Sequence, residues 1–443
     1  MKQTRIVRWQ ELARWLPGSG TTIVSAYPLA PLGEVLTRRE ERVTPDTFAL
    51  HTPITIRFTG AIERRDRPEA FQGLMSAVQT GDLVFSKIDV RNGAIGLLPA
   101  ALAPAVVTSE YPVYTPDPEQ VEVAFLALLL RTPPFLALLR DAASGTSGRK
   151  RVSPADFEAI EVPLPDLPEQ RRLVAAYAAD RAAAEALDAQ AAAAERAAVD
   201  AFEAALGLVP PPDLPKRRAF VARWREFERW SVSGVLHAQR LHGMSREGSV
   251  GNWVTVGDYA DVIHGCSAGP SDVETPLRVL KISAVTRGYL RPDEHKFIAD
   301  RPEYRRLYDL RAGDVLMCRT NGTLAYVGAP AFVAQDVPNY IFPDKVMRAR
   351  IHNPDLLPEY LWQLLQLPTI RAQIEAAART AVGNFAIGGT DVENLEIPLP
   401  PAELQLSLMD DLRLAAVGAN DQRQQATAAR HTAAVAFAKA IFG

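Results

Sequence analysis

Two alanine-rich runs, each approached through a proline rail, constrain this chain more than any other feature. Val162-Pro163-Leu164-Pro165-Asp166-Leu167-Pro168-Glu169-Gln170 leads into a stretch free of proline and glycine from Glu169 to Leu206. Ile397-Pro398-Leu399-Pro400-Pro401-Ala402-Glu403-Leu404-Gln405 leads into a second, from Glu403 to Phe442, interrupted only by Gly418. Proline fixes an extended approach and suits the first helical turn, where a missing N–H costs least. Alanine, the best helix former, then takes over. About 38 residues at about 1.5 Å each make a rod roughly 57 Å long, which needs a partner along its length. Leu173, Tyr177, Leu187, Ala191, Ala194, Ala198 and Phe202 fall near three-and-four spacing in the first run. Leu404, Leu408, Leu412, Ala415, Ala419, Ala426, Ala433, Val435 and Phe437 do so in the second. The pattern predicts that the runs pair as an antiparallel coiled coil with a close alanine seam. Two independent surface helices, using alanine for propensity alone, are the competing reading.

The chain also repeats itself in order. Arg8-Trp9-Gln10-Glu11-Leu12-Ala13-Arg14-Trp15 recurs 215 residues later as Arg223-Trp224-Arg225-Glu226-Phe227-Glu228-Arg229-Trp230. Leu32-Gly33-Glu34-Val35 has a weaker echo in Val256-Gly257-Asp258-Tyr259, at an offset of 224. Gly81-Asp82-Leu83-Val84 matches Gly313-Asp314-Val315-Leu316 at 232. The stretch 156–165 matches 391–400, and Ala201-Phe202 matches Ala436-Phe437, both at 235. The growing offset predicts loop insertions in the second copy. Each copy holds a Trp-bearing lead, a mixed domain, a rail and a long helix. Boundaries follow at 1–165, 166–207, 208–400 and 401–443, with Pro210-Pro211-Pro212 and Pro215 making a semi-rigid linker. Within the lead, Trp9, Leu12 and Leu16 share one helical face and suit packing onto a neighbouring element.

Both mixed domains carry short strand candidates: Ile54 to Phe58, Asp82 to Ser86, Val279 to Ile282 and Asp314 to Cys318. A helix is expected from Val121 to Leu130 and from Pro358 to Leu367, followed by polar loops at 144–151 and 379–384. Each domain therefore reads as a small α/β module.

Charge is nearly balanced, with 49 basic and 52 acidic residues, and only the first long helix is clearly acidic. A protein that coats DNA non-specifically would be far more basic. Arginine outnumbers lysine 41 to 8, which suits bidentate contacts to carboxylate, phosphate or guanine, although genomic composition produces the same bias. Cys266 and Cys318 are the only cysteines, so a reducing cytoplasm is expected rather than a disulfide framework. The start, Met1 to Trp9, has no apolar signal core, and Val123 to Leu130 is too short for a membrane span.

No catalytic constellation emerges: there is no Walker-type loop, nucleophile elbow or zinc-protease helix. His264-Gly265-Cys266 is an isolated pair without further ligand spacing, and no metal is expected. Thr132-Pro133-Pro134-Phe135 lacks the amide or carboxylate of an amino-methyltransferase motif and is expected to stop a helix. Pro292-Asp293-Glu294-His295-Lys296 reads as a solvated turn rather than nuclease carboxylates.

Polar residues after strands remain. Lys87, Arg91 and Asn92 follow the first Gly-Asp strand, and Arg319, Thr320 and Asn321 follow its counterpart. Arginine and lysine pair with guanine's major-groove edge, asparagine with adenine's. Thr146, Ser147, Arg149, Lys150 and Arg151 form a basic loop suited to phosphate, and Lys345, Thr380 and Asn384 complete the candidate DNA-binding set. Turn chemistry explains Asn-Gly better at any one loop; recurrence at matched positions brings base contact level with it.

With these features the chain resembles the specificity subunit of a type I restriction–modification enzyme. The resemblance rests on the two rails, with Glu169-Gln170 and Glu403, and on Gly81 to Asp89 and Gly313 to Arg319, and it spans nearly the whole length. One departure is Leu404 where the first copy has Gln170; another is the weak similarity of the domains outside the shared motifs. The resemblance implies an α/β (α+β) fold of two target-recognition domains separated by a long antiparallel two-helix coil, with an internal pseudo-two-fold repeat. Each domain would read one half of a split, asymmetric double-stranded DNA target. The coil, with Leu173, Tyr177, Leu187, Phe202, Leu408, Leu412 and Phe437, would fix the gap and dock two modification (methyltransferase) subunits. Those subunits would hold S-adenosylmethionine; ATP and Mg would belong to a restriction/translocase subunit where one joins. The chain itself would be non-catalytic, cytoplasmic, and free of metal, cofactor and membrane contact. Rival readings are a methyltransferase or nuclease with an unrecognised catalytic part, and a protein-only coiled-coil adaptor.

Overall fold

The computed structural model describes residues 23–65, 73–143, 151–211, 213–214, 235–237, 240–241, 248–381 and 383–443. The repeated Trp-bearing leads, including Trp9, Leu12 and Leu16, lie outside the described residues. So do Thr146, Ser147, Arg149 and Lys150. The chain divides into two compact units, residues 1–189 with 422–443, and residues 190–421.

In the first unit, a four-stranded antiparallel sheet has the order Leu36–Arg38, Val113–Pro116, Leu83–Phe85, Ile95–Leu97. A second sheet of five strands runs Arg42–Val43, Met75–Val78, Ala105–Thr108, Thr52–Ile56, Ile62–Arg64. Its one parallel pair joins Thr52–Ile56 to Ala105–Thr108. Leu83, Val84 and Phe85 are all fully buried, as a short apolar run bounded by glycine suggests. The Phe85 ring packs 4.4 Å from Phe157, and Tyr114 lies 5.5 Å from the same ring. Helices Val123–Leu129 and Pro133–Ala142 cover this core with Phe125, Leu126, Leu129, Phe135 and Leu139. Thr132 starts a helix as well as ending one. Its hydroxyl donates to the Leu129 carbonyl at 2.8 Å and accepts from Phe135 N at 3.4 Å, and the two prolines occupy the first turn they suit.

The second unit repeats the plan. Its four-stranded sheet runs Ala260–His264, Val346–Ile351, Val315–Cys318, Pro330–Phe332, again all antiparallel. A three-stranded sheet runs His295–Phe297, Arg278–Leu280, Tyr340–Ile341, and its one parallel pair, Arg278–Leu280 with Tyr340–Ile341, matches the parallel pair of the first unit. Sequence similarity between the two domains was weak in this part, yet the strand order is shared. Pattern and burial are kept where identity is not.

Repeated residues do repeated work. Gly81 and Gly313 turn with φ of +82° and +88°, a conformation that favours glycine. Each places a buried aspartate at the start of a core strand. Arg39 grips Asp82 with two bonds of 2.6 and 3.1 Å, and Thr115 donates to the same carboxylate. Arg350 grips Asp314 with two bonds of 2.7 and 2.8 Å. Arg39 follows the strand Leu36–Arg38, whereas Arg350 lies within Val346–Ile351; what is kept is a buried, hydrogen-bonded carboxylate.

The rails are strands. Glu161–Pro163 pairs with Leu29–Pro31, and Glu396–Leu399 pairs with Asn252–Thr255. Two-stranded ladders leave one backbone edge unpaired, which is where a strand proline is tolerated. Long helices follow at Leu167–Ala205 and Ala402–Phe442, and Gly418 does not interrupt the second. Each long helix contributes one half to each unit. In the first unit Leu173 and Phe437 share a core, Tyr177 meets the Phe437 ring edge-on at 6.0 Å, and Arg430 bonds Asp188. In the second, Phe202, Leu408 and Met409 share a core, and Phe202 lies 5.8 Å from Tyr360. Ala184, Ala426 and Ala433 are buried in the first unit, Ala191 and Ala419 in the second. Thus the pairing is antiparallel within each unit. Leu187 and Leu412 are only half-buried, and Ala194 and Val435 face solvent rather than the seam.

One register in the rail comparison needs correcting. The counterpart of Gln170 is Gln405, not Leu404. Both amides are fully buried. Gln170 accepts from Glu122 N at 2.8 Å and donates to the Gln120 and Pro165 carbonyls. Gln405 accepts from Leu357 N at 3.0 Å and donates to the Asp355 and Pro400 carbonyls. The glutamine, placed identically at both helix starts, fastens each helix to its own module.

Candidate nucleic-acid interface

In each unit the strand after the Gly-Asp turn ends in a cation at the same place. Lys87 N donates to the Glu110 carbonyl at 3.1 Å, and Val152 N donates to the Lys87 carbonyl at 2.9 Å. Arg319 N donates to the Lys345 carbonyl at 2.8 Å, and Ile387 N donates to the Arg319 carbonyl at 3.1 Å. These two backbone hydrogen-bond frames correspond residue for residue along the repeat, so Lys87 and Arg319 are equivalents, as are Glu110 and Lys345.

The second unit draws most of its candidates together. Thr320–Asn321, Asn384–Ala386 and Arg379–Ala381 form one small antiparallel sheet. The segment expected to be a loop is therefore a hairpin, with Gly383 at φ +79° in its turn. Thr380, Asn384 and Lys345 are exposed; Arg319, Thr320 and Asn321 are half-buried. Asn321 Oδ1 accepts from Thr323 N at 3.0 Å, an Asx turn, and its side chain also hydrogen-bonds the buried Cys318 thiol. Arg319 Nη1 donates to the Asp344 carbonyl at 3.1 Å, while its Nε is buried with no hydrogen-bond partner among the described residues. Partial burial, reinforced by the Arg319 charge, holds His264 below the usual imidazole range and so neutral at pH 7. The sequence pattern offers His264 only as a metal ligand beside Cys266, not as a neighbour of Arg319.

In the first unit Lys87 Nζ donates to the Ser109 carbonyl at 2.7 Å, and Arg151 lies 3.5 Å from Glu110. Arg91 and Asn92 sit on a short 3-10 helix, Val90–Asn92, closed by Gly93 at φ +97°. Arg91 Nε is buried without a partner among the described residues. Among the described residues, the arrangement in both units places a cation just past a strand end with donors to spare, which is the chemistry of base-edge and phosphate contact. Among the described residues, no group of three or more His, Cys, Asp or Glu is placed to hold a metal, and no single helix is long and apolar enough to cross a membrane.

The coil residues are placed differently from a partner-facing surface. Leu173 and Phe437 are buried against the first module, and Phe202 and Leu408 against the second. Leu406, Leu414 and Val417 on the second long helix are 48%, 71% and 61% exposed.

No family model matches the chain. It is 26% identical over 269 residues to the EcoKI type I restriction enzyme specificity subunit of Escherichia coli (strain K12), covering 58% of this chain and 51% of that one. It is 21% identical over 371 residues to the Escherichia coli EcoEI specificity subunit, covering 69% and 62%. The matches thus span between half and two thirds of those relatives' own length. A chain solved in work on complex assembly and conformational transition of the type I R-M system shares the fold, with a TM-score of 0.56 at 19% identity, over 95% of this chain and 99% of that one. In sequence this chain is similar to specificity subunits of type I restriction enzymes, and it shares its fold with a chain from a type I R-M system.

Proposed function

We propose that the chain is the DNA sequence-specificity subunit of a type I restriction–modification complex. Its modules, 1–165 and 208–400, each read one half of a bipartite, asymmetric double-stranded target. The helices at 166–207 and 401–443 set the gap and carry two methyltransferase subunits, for which Leu406, Leu414 and Val417 offer apolar surface. S-adenosylmethionine belongs to those subunits, and ATP with Mg to a restriction/translocase subunit where one joins; this chain contributes recognition, not bond chemistry.

The observation that carries this reading is the duplicated frame around Lys87 and Arg319. Its backbone hydrogen bonds are the same in both units while the side chains it presents differ, which is what reading two unlike half-sites requires. The candidate contacts are Lys87, Arg91, Asn92 and Arg151 in one half, and Arg319, Thr320, Asn321, Lys345, Thr380 and Asn384 in the other. Thr146, Ser147, Arg149 and Lys150 extend the first set. Arg319→Ala in the assembled complex should relax one half-site, with discrimination falling by about 1–3 kcal/mol at the affected base pair. The other half-site should persist. A methylated motif unchanged at every position would remove Arg319 from the base-reading set.

A further inference from the structure

A pocket of about 170 Å³ opens beside Lys87 in the first unit. Its walls include Arg38, Arg39, Glu40 and Arg42, with Ser76 and Ser109 on the facing segments. Arg39 is already neutralised by Asp82 and Glu41. Arg42 Nη1 donates to Ser76 Oγ at 3.0 Å, which orients the guanidinium and leaves its other N–H groups unengaged among the described residues. Lys87 spends one of its three donors on the Ser109 carbonyl. Among the described residues, Arg38, Arg42 and Lys87 have no carboxylate partner, and Glu40 is the only acid in the walls. Three cations thus face one carboxylate, within a region, 1–165, whose total charge is balanced.

On the equivalent strand, Ala260–His264, the second unit carries no arginine. Arg38 sits opposite Tyr114 in its ladder; the equivalent pair is Val262 opposite Ala349. Continuing along the strand, Ile263 and His264 stand where the first unit has Arg39 and Glu40. The pocket's Arg38 and Arg39 therefore have no arginine counterparts at these positions of the second module, and Lys87 beside them is the cation that the repeat makes equivalent to Arg319.

We propose that this pocket seats a backbone phosphate of the DNA flanking the half-site read by the first module. The inference rests on the DNA-recognition reading above. Guanidinium, ammonium and hydroxyl donors converge on a space of about five or six waters at ~30 Å³ each. Donors without matching acceptors suit the oxygens of a phosphate better than the mixed edge of a base. Arg42 is the key contact, because Ser76 holds it in place. The first module then grips its flank more tightly than the second, so the two half-sites bear unequal shares of the salt-dependent affinity.

The test uses the complete chain assembled with its methyltransferase subunits, a duplex carrying its methylated motif and a scrambled duplex, over a series of salt concentrations. Arg42→Gln should weaken binding to both duplexes by the same factor, about tenfold, and lower the slope of log K against log salt by roughly one. Arg42→Lys, which keeps the charge, should restore the slope, and the sequence of the motif should not change in either variant. An unchanged slope in Arg42→Gln overturns the proposal. A loss confined to the motif-bearing duplex also overturns it, since that marks a base contact. A wild-type assembly that prefers neither duplex sinks the recognition reading and this inference together, whereas normal wild-type preference with an unaltered Arg42→Gln slope sinks the pocket only.

Discussion

At the scale of single residues, Gln170 and Gln405 show how a side chain can be worth more than its size. Each amide closes three hydrogen bonds in a fully buried position, tying the first turn of a long helix to a loop some 50 residues earlier in sequence. Gln170→Leu would bury the unpaired Glu122 N–H and the Gln120 and Pro165 carbonyls. Each orphaned group costs about 1–3 kcal/mol, so a loss of at least about 2 kcal/mol is expected, and the same from Gln405→Leu. Thermal unfolding measures both; a melting temperature within a degree of wild type for either variant would show that water replaces the amide. The equivalence of these two glutamines was hidden in the sequence. Glu403 follows a proline by two residues and invites alignment with Glu169, which follows Pro168 directly. Only burial and bonding fix the register. Arg38 and Arg42 were equally hidden, because Glu40 and Glu41 between them make the stretch look like a solvated, self-neutralised charge run. Arg39 consumes one of those acids and the buried Asp82, which no local pattern reveals.

At the scale of elements, the legible parts were those that physics repeats locally. Both Gly-Asp strands, the helices after them and both long helices follow from glycine turns, apolar runs and proline-then-alanine composition. The hairpin at 379–386 did not, because Thr, Gly and Asn near a strand end read as a loop until a partner strand, Thr320–Asn321, supplies the ladder. Partner choice also decided the helix faces. Three-and-four spacing admitted Ala194 and Val435 to the seam, but the paired helices bury the positions seven apart, Ala419, Ala426 and Ala433, and leave those two outside. A seam of alanines brings two helices close and has no room for larger side chains. Ala426→Leu should therefore cost about 1–3 kcal/mol by overpacking, whereas Ala194→Leu should stay within about 0.5 kcal/mol of wild type. Parallel thermal melts distinguish them. Equal midpoints for the two variants would mean that the alanines serve helix propensity alone.

At the scale of the whole molecule, the chain folds as two units, each built on one half of each long helix. The target bases are not legible, since the frame around Lys87 and Arg319 is common to both modules and the side chains on it follow no residue-to-base code. The proposed recognition role nonetheless implies the form of the target. The most direct measurement is base-resolution methylation mapping in cells expressing the chain with its methyltransferase subunits, for wild type and for a variant lengthened by one heptad in each long helix, between 189 and 190 and between 421 and 422. Seven residues keep the alanine register and add about 10 Å of helix, equal to about three base pairs of B-DNA. The account predicts one asymmetric motif in two parts around an unspecified gap for wild type, and the same two parts around a gap about three base pairs longer for the variant. A continuous motif in wild type, or a wild-type gap retained in a variant that still methylates, would contradict it.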